Sequence, residues 1–147
     1  MDTKELAHSF VDAYNAGDMV KIASYLSDDF TFSGPVPEPI GSKEWLGMHS
    51  IFKTAFPDIS YNLRVVSVEG NIVTTTSQLK GTHTGKLDLS AMGMGAYPPT
   101  GKSFSNREEF GEAIVENGKI NSIHIKSGEG SGVIGMLKQL GIQPVQK

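Results

Sequence analysis

The apolar residues recur with helical spacing up to about residue 58 and with alternating spacing after it, so a helical first part precedes a stranded second part. Asp2 and Glu5 form a capping-box-like start, Leu6, Phe10 and Tyr14 follow at every fourth position, and Asn15-Ala16-Gly17 supplies a stop, which predicts an amphipathic helix over Thr3 to Asn15. Asp18 is placed to cap a second, short helix carrying Val20, Ile22, Ala23 and Leu26, which hands over to a strand at Phe30-Thr31-Phe32. Pro35, Pro37 and Pro39 block regular hydrogen bonding, so Ser33 to Gly41 reads as an extended loop. Ser42 then caps a third helix, Ser42 to Phe56, whose Trp45, Met48, Phe52 and Phe56 make one apolar stripe ended by Pro57.

Beyond Ile59 the period is two. Val65 to Glu69 and Ile72 to Thr76 flank Gly70-Asn71, a pair that suits a hairpin turn because both residues tolerate positive φ. A second hairpin turns at Asn117-Gly118, and a two-residue turn there sets Glu116 against Lys119, Gly111 against His124 and Glu109 against Lys126. One face then carries Phe104, Phe110, Ile114, Ile123 and Ile125, while the other carries Arg107, Glu109, Gly111, Ser122, His124 and Lys126, either a solvated surface or the wall of a polar pocket. Lys86 to Lys102 mixes Leu87, Leu89, Met92, Met94 and Tyr97 with glycines and prolines, and reads as a lid or as a loop packed over the sheet edge. Ser131 can cap a last helix with Val133, Met136, Leu137 and Leu140 inward and Gly141 at its end. Helices followed by antiparallel strands make an α+β layout with the helices on one face of the sheet.

Composition narrows the chemistry mainly by exclusion. A chain of 147 residues forms one domain, 1–147, and buries roughly two thirds of its unfolded surface. Thirteen Lys and Arg against sixteen Asp and Glu give a net charge of -3 with no basic cluster, which argues against nucleic acid as partner. There are no cysteines, no apolar run near the ~20 residues that span a bilayer, and no basic-then-apolar leader, so a soluble cytoplasmic protein with no membrane partner is expected. The four histidines show no metal-binding spacing, no glycine-rich loop precedes a helix, and serine-nucleophile motifs are missing. A metal site and a nucleotide site are both disfavoured, and proton transfer or plain small-molecule binding remains.

Phe56-Pro57-Asp58, Gly81-Thr82-His83-Thr84-Gly85, Pro98-Pro99-Thr100-Gly101-Lys102 and Gln139-Leu140-Gly141 occur in this order over nearly the whole chain. In this the sequence resembles the SnoaL-like polyketide cyclase family, whose members fold like nuclear transport factor 2. The resemblance implies a cone-shaped, curved antiparallel β-sheet packed by the N-terminal helices, a ligand-binding pocket in the open end of the cone, and a homodimer formed through the outer sheet face. It also implies an aspartate as acid/base group near the start of the last helix. Counting from Gly118-Lys119-Ile120 puts that position near Gly128, counting back from Gln139-Leu140-Gly141 puts it near Gly132, and the only carboxylate between them is Glu129.

His83, inside the most family-like motif, is the first candidate for polarising or protonating a carbonyl oxygen; the plainer reading is a hydrogen bond within its own loop. His124 and Glu129 are the candidates for the base, and Arg107 and Glu109 join His124 in a second polar constellation that could equally be a solvated face. His49 lies between Trp45 and Phe52 on the stripe of the third helix, so all three are either core or contacts to a ligand. Two functions follow: a cofactor-independent cyclase or isomerase acting by enolate chemistry on a polyketide-like or other carbonyl compound, or a non-catalytic small-molecule-binding or dimerisation module of the same fold. A cavity with an inward carboxylate or imidazole favours the first, and a filled cone the second.

Overall fold

A computed structural model describes residues 2–34, 38–90, 93–126 and 132–143. Helix α1 (Thr3–Ala16) begins where the Asp2 carboxylate accepts the Glu5 N–H at 2.8 Å, and it ends at Gly17, whose φ of 73° is the left-handed conformation that a glycine adopts without strain. Asp18 accepts the Lys21 N–H at 3.1 Å and so starts α2 (Met19–Ser24). The third helix, α3 (Ser42–Ala55), differs from expectation at its start. Ser42 is its first residue and not its cap; Gly41 holds the cap position with no side-chain bond, because β2 (Ile40–Gly41) is already paired to Thr31 and Phe32.

The main sheet contains β1 (Leu26–Ser33), β2, β3 (Arg64–Glu69), β4 (Ile72–Ser77), β9 (Glu109–Glu116) and β10 (Lys119–Lys126) in the order β2-β1-β10-β9-β4-β3. It is curved, mostly antiparallel and not closed, and one pair, β1 with β10, is parallel. That pair joins strands from opposite ends of the chain, which local alternation does not report. The turn of the β9–β10 hairpin places both Asn117 (φ 52°) and Gly118 (φ 73°) in the left-handed region, as a two-residue hairpin turn requires.

Within this hairpin the register corrects the sequence reading. Lys119 does face Glu116 and Ile120 faces Val115, but the ladder then shifts so that Ser122 faces Ile114, His124 faces Glu112 and Ile125 faces Gly111. The extra residue is Asn121, a β-bulge that turns every later side chain of β10 to the other face. Glu109, Gly111, Ala113 and Val115 therefore point inward with Ile123 and Ile125, while Phe110, Glu112 and Ile114 point outward with His124 and Lys126. The cross-strand ion pair is Lys126 with Glu112 at 3.8 Å, in place of Lys126 with Glu109.

Two apolar clusters form. One, between α1, α3 and the concave sheet face, centres on Trp45, around which the rings of Phe10, Tyr14, Phe30 and Phe32 lie with centroids 5.1 to 6.5 Å away. The other joins Phe52, Ala55 and Phe56 to Leu87, Leu89, Phe104 and the helix α4 (Gly132–Gln139). The segment expected as a loop carries a short hairpin, β6 (Leu87–Asp88) with β7 (Ala96–Tyr97), flanked by β5 (Lys80–Thr82) paired to β8 (Ser103–Ser105). Leu87 and Leu89 are fully buried and anchor this segment in the second cluster, while Lys86, Asp88, Ser90, Ala96 and the stretch Pro98 to Lys102 are exposed.

Candidate functional site

The cluster around Trp45 leaves a cavity of about 120 Å³ between α1, α3 and the inward face of the sheet, and its walls are mostly aliphatic and aromatic. Among the sequence candidates, Trp45, His49, Phe52 and Glu109 line it. The polar side chains facing it are few: Tyr14 from α1, His49 from α3, Tyr61 from the segment after α3, Thr75 and Ser77 from β4, and Glu109 from β9. A concave apolar site with a small number of converging polar groups is the usual character of a small-molecule site.

Tyr14 and His49 form one unit. Their helices cross so that the Tyr14 hydroxyl lies 2.7 Å from His49 Nε2, while His49 Nδ1 lies 2.8 Å from the Trp45 carbonyl oxygen one turn earlier in α3. A carbonyl only accepts, so Nδ1 carries the proton, Nε2 accepts, and the Tyr14 hydroxyl donates. Burial pushes the His49 pKa down to about 4, with the Trp45 carbonyl opposing, and leaves the ring neutral near pH 7. Burial first, then the neighbouring Tyr61 and Glu109, hold the Tyr14 phenol well above its ordinary pKa, and burial pushes Tyr61 up to about 12. Both phenols keep their protons.

Glu109 reaches the cavity because β9 begins with it, in register with Ser77 of β4, and every second residue from there points inward. It is buried, 6% exposed. Gly111 follows on the same face, and a Cβ there would lie 2.7 Å from Ile125 Cδ1 and 3.0 Å from Thr75 Oγ1, so the missing side chain admits these two neighbours. Arg107 was expected beside Glu109, but it precedes the strand, is exposed and does not line the cavity.

The remaining candidates lie elsewhere. His83 is fully buried in the second cluster against the Phe56 ring, with centroids 5.5 Å apart, and is not part of the cavity wall. Its Nδ1 accepts the Thr100 N–H at 3.2 Å and lies 3.0 Å from Thr100 Oγ1, which is the bond within its own segment that the plainer reading expects. Burial lowers its pKa, the Gly85 backbone opposing. His124 is exposed on the outer sheet face, 2.9 Å from Ser33 Oγ through Nδ1, because the bulge at Asn121 turned it outward. Glu129, and the Gly128 position, lie outside the described residues. Tyr14 was missed by sequence reasoning: its place on the α1 stripe was plain, but its partner is 35 residues away on another helix. No group of His, Asp and Glu that could hold a metal ion occurs among the described residues, and none of their helices is long and apolar enough to cross a membrane.

A curved sheet wrapped on N-terminal helices around an apolar pocket defines a nuclear transport factor 2-like protein. The chain belongs to the SnoaL-like polyketide cyclase family, whose family model matches residues 4–125. Among solved structures it is similar to AclR of Streptomyces galilaeus, a proposed hydroxylase, with 24% identity over 99% of this chain and 84% of that one and a TM-score of 0.71. It is similar also to IdmH of Streptomyces antibioticus, a proposed polyketide cyclase, with 22% identity over 97% of this chain and 100% of that one and a TM-score of 0.69. A proposed SnoaL-like polyketide cyclase of Jannaschia sp. CCS1 has a TM-score of 0.73 at 15% identity, over 97% and 93% of the two chains. At these identities the likeness is one of fold. No curated protein sequence matches it significantly.

Proposed function

We propose that the chain is a cofactor-independent acid–base enzyme of cyclase or isomerase type, which holds a polyketide-like or other carbonyl compound in the Trp45 cavity and uses Glu109 to accept the proton. The observation that carries this reading is a buried carboxylate on the wall of a mostly apolar cavity. Family membership supports cyclase-like chemistry, and alignment with the two Streptomyces structures over 97% to 99% of the chain supports one such domain.

Abstraction of a proton next to a carbonyl needs a base shielded from water and donors where the enolate charge develops. Among the described residues on the wall, Tyr14 and Tyr61 hold their protons and His49 Nε2 accepts the Tyr14 hydroxyl, and Glu109 is the carboxylate there, the group to which we assign the role of base. Ser77, its partner across the β4–β9 ladder, Thr75 and Tyr61 supply hydroxyls on the same wall. Glu109 thus takes the place expected for Glu129, His83 or His124 in the proton transfer.

The test is deuterium exchange at the α-carbons of 2-tetralone in D₂O, followed by NMR. The wild-type protein is expected to accelerate exchange, and Glu109→Gln to lower the acceleration by ~100-fold or more with folding intact. Equal rates in the two proteins would remove Glu109 from the mechanism, and binding without any acceleration would favour the non-catalytic binding module. We also infer a homodimer through the outer sheet face, where Phe110 is 50% and Ile72 38% exposed and Ile72 sits opposite Ile114.

A further inference from the structure

We propose that the Trp45 cavity is the inner chamber of a two-chamber site, and that the cleft beyond Tyr61 holds a carboxylate arm of the ligand, with Lys53 as its cation. The inference rests on the cavity being a ligand site, as the reading above does, and not on the proton transfer assigned to Glu109.

Small-molecule sites usually enclose ~300 to 1,000 Å³, whereas the Trp45 cavity offers about 120 Å³. A cleft of about 360 Å³ adjoins it, between the end of α1 and the last two turns of α3. His49 and Tyr61 line both spaces, so the two share one wall. Tyr61 is held in that wall by its neighbours: the Asn62 side chain donates to Gln78 O at 3.0 Å, and Asn15 bonds Leu63 through both its amide atoms at 2.9 and 3.0 Å.

The uncommitted hydrogen-bonding groups of this wall are donors. Tyr61 is buried, yet its hydroxyl has no hydrogen-bond partner among the described residues, and burial keeps its proton in place. Lys53 gives one N–H to the Pro57 carbonyl at 2.7 Å and forms no ion pair with a carboxylate among the described residues. Asn15 is committed to Leu63, and Thr54 gives its hydroxyl to Ser50 O at 3.0 Å. Asp58, whose carboxylate feels the Lys53 charge, is not on the wall and is engaged by Thr82 N–H and Oγ1 at 2.7 and 2.8 Å. The C-terminal end of α1 opposes an anion, but with about half an elementary charge against the whole charge of Lys53. Lys53 stands one helical turn, ~5.4 Å, beyond His49. The ligand that fits is therefore an apolar ring body in the inner chamber with a short alkyl arm ending in a carboxylate.

The experiment measures dissociation constants of 4-(2-naphthyl)butanoate and of its neutral carboxamide by isothermal titration calorimetry. Wild type is expected to bind the carboxylate roughly 3-fold or more tightly than the amide at low salt, and to lose most of that preference in ~0.5 M salt, which screens the exposed Lys53. Lys53→Met should abolish the preference. Tyr61→Phe should weaken both probes by roughly 3- to 10-fold, because both arms carry an oxygen acceptor. Equal binding of the two probes by wild type, a preference that survives Lys53→Met or high salt, or unchanged affinities in Tyr61→Phe would overturn the proposal; the salt titration of wild type decides if the Lys53 variant does not fold. Failure of wild type to bind either probe while it accelerates exchange on 2-tetralone would overturn the outer chamber alone, and failure with both would remove the ligand-site reading as well. The expected binding pattern without deuterium exchange would support the outer chamber and refute only the acid–base step.

Discussion

His83 and Thr100 clasp the two ends of the β6–β7 excursion: Nδ1 of His83 accepts the Thr100 N–H at 3.2 Å, His83 N–H donates to Lys102 O at 2.8 Å, and Gly101 N–H donates back to His83 O at 2.8 Å. The imidazole and these backbone bonds together tie Gly81-Thr82-His83-Thr84-Gly85 to Pro98-Pro99-Thr100-Gly101-Lys102.

His83→Ala is therefore expected to lower stability by about 2–3 kcal/mol, through a lost side chain in the Phe56 cluster and a lost clasp, while 2-tetralone affinity at the Trp45 cavity stays within roughly twofold of wild type. Thermal denaturation and calorimetric titration check the two halves. A large loss of affinity with unchanged stability would return His83 to the ligand site.

Gly85 belongs to the same construction. Thr84 and Gly85 donate their N–H groups to the Ala55 carbonyl at 3.2 and 3.0 Å, which satisfies the end of α3. A Cβ on Gly85 would lie 2.0 Å from the Thr54 backbone oxygen, so the helix end or the loop must move. Gly85→Ala is expected to cost at least ~2 kcal/mol, read as a lowered Tm. A variant as stable as wild type would show that the loop yields freely and that the close approach carries no stabilisation.

What was legible in the sequence was what local rules govern. The Asp2 cap, the Gly17 stop, the stripe through Trp45, His49 and Phe52, and the turn at Asn117-Gly118 follow from neighbours a few residues apart. The family motifs carried the curved sheet. The site was less legible because its geometry depends on two breaks in periodicity. Asn121 is one extra residue, and it sent His124 outward and Ile123 and Ile125 inward with Glu109. Arg107 sits before β9 starts, so alternation counted from it has no physical basis. The Tyr14–His49 bond and the parallel β1–β10 pair join distant segments, and no periodicity encodes them.

On the outer sheet face, Phe110 and Ile72 remain exposed beside the exposed ion pair of Lys126 and Glu112. If two copies meet there, Phe110→Glu places a charge in an apolar contact and is expected to convert the dimer to monomer without lowering the stability of the monomer fold. Light scattering coupled to size exclusion reads the mass of both proteins. A wild-type monomer at micromolar concentration, or a dimer that persists in the variant, would remove this face as the interface.

Acid stability offers a test of the Tyr14–His49 unit that needs no ligand. His49 titrates at about 4 in the folded protein against an ordinary value of 6.5, so the unfolded chain takes up a proton that the folded chain refuses. Stability from this group is fully present above pH 6.5, declines as the pH falls below it, and is exhausted once the pH passes through about 4. The loss is on the order of 3 kcal/mol across that window. His83, whose pKa burial also lowers, adds in the same direction. Asp2, Asp58 and Asp88 are held below their ordinary values chiefly by hydrogen bonds from Glu5, Thr82 and Ser90, so their contributions fade at lower pH than the start of the histidine window. Urea unfolding at pH 7, 6, 5 and 4.5 should show stability falling with each step in wild type and falling less in His49→Met. An identical slope in the two proteins would mean that His49 is not buried as a neutral ring, and the tautomer that commits the Tyr14 proton would lose its basis.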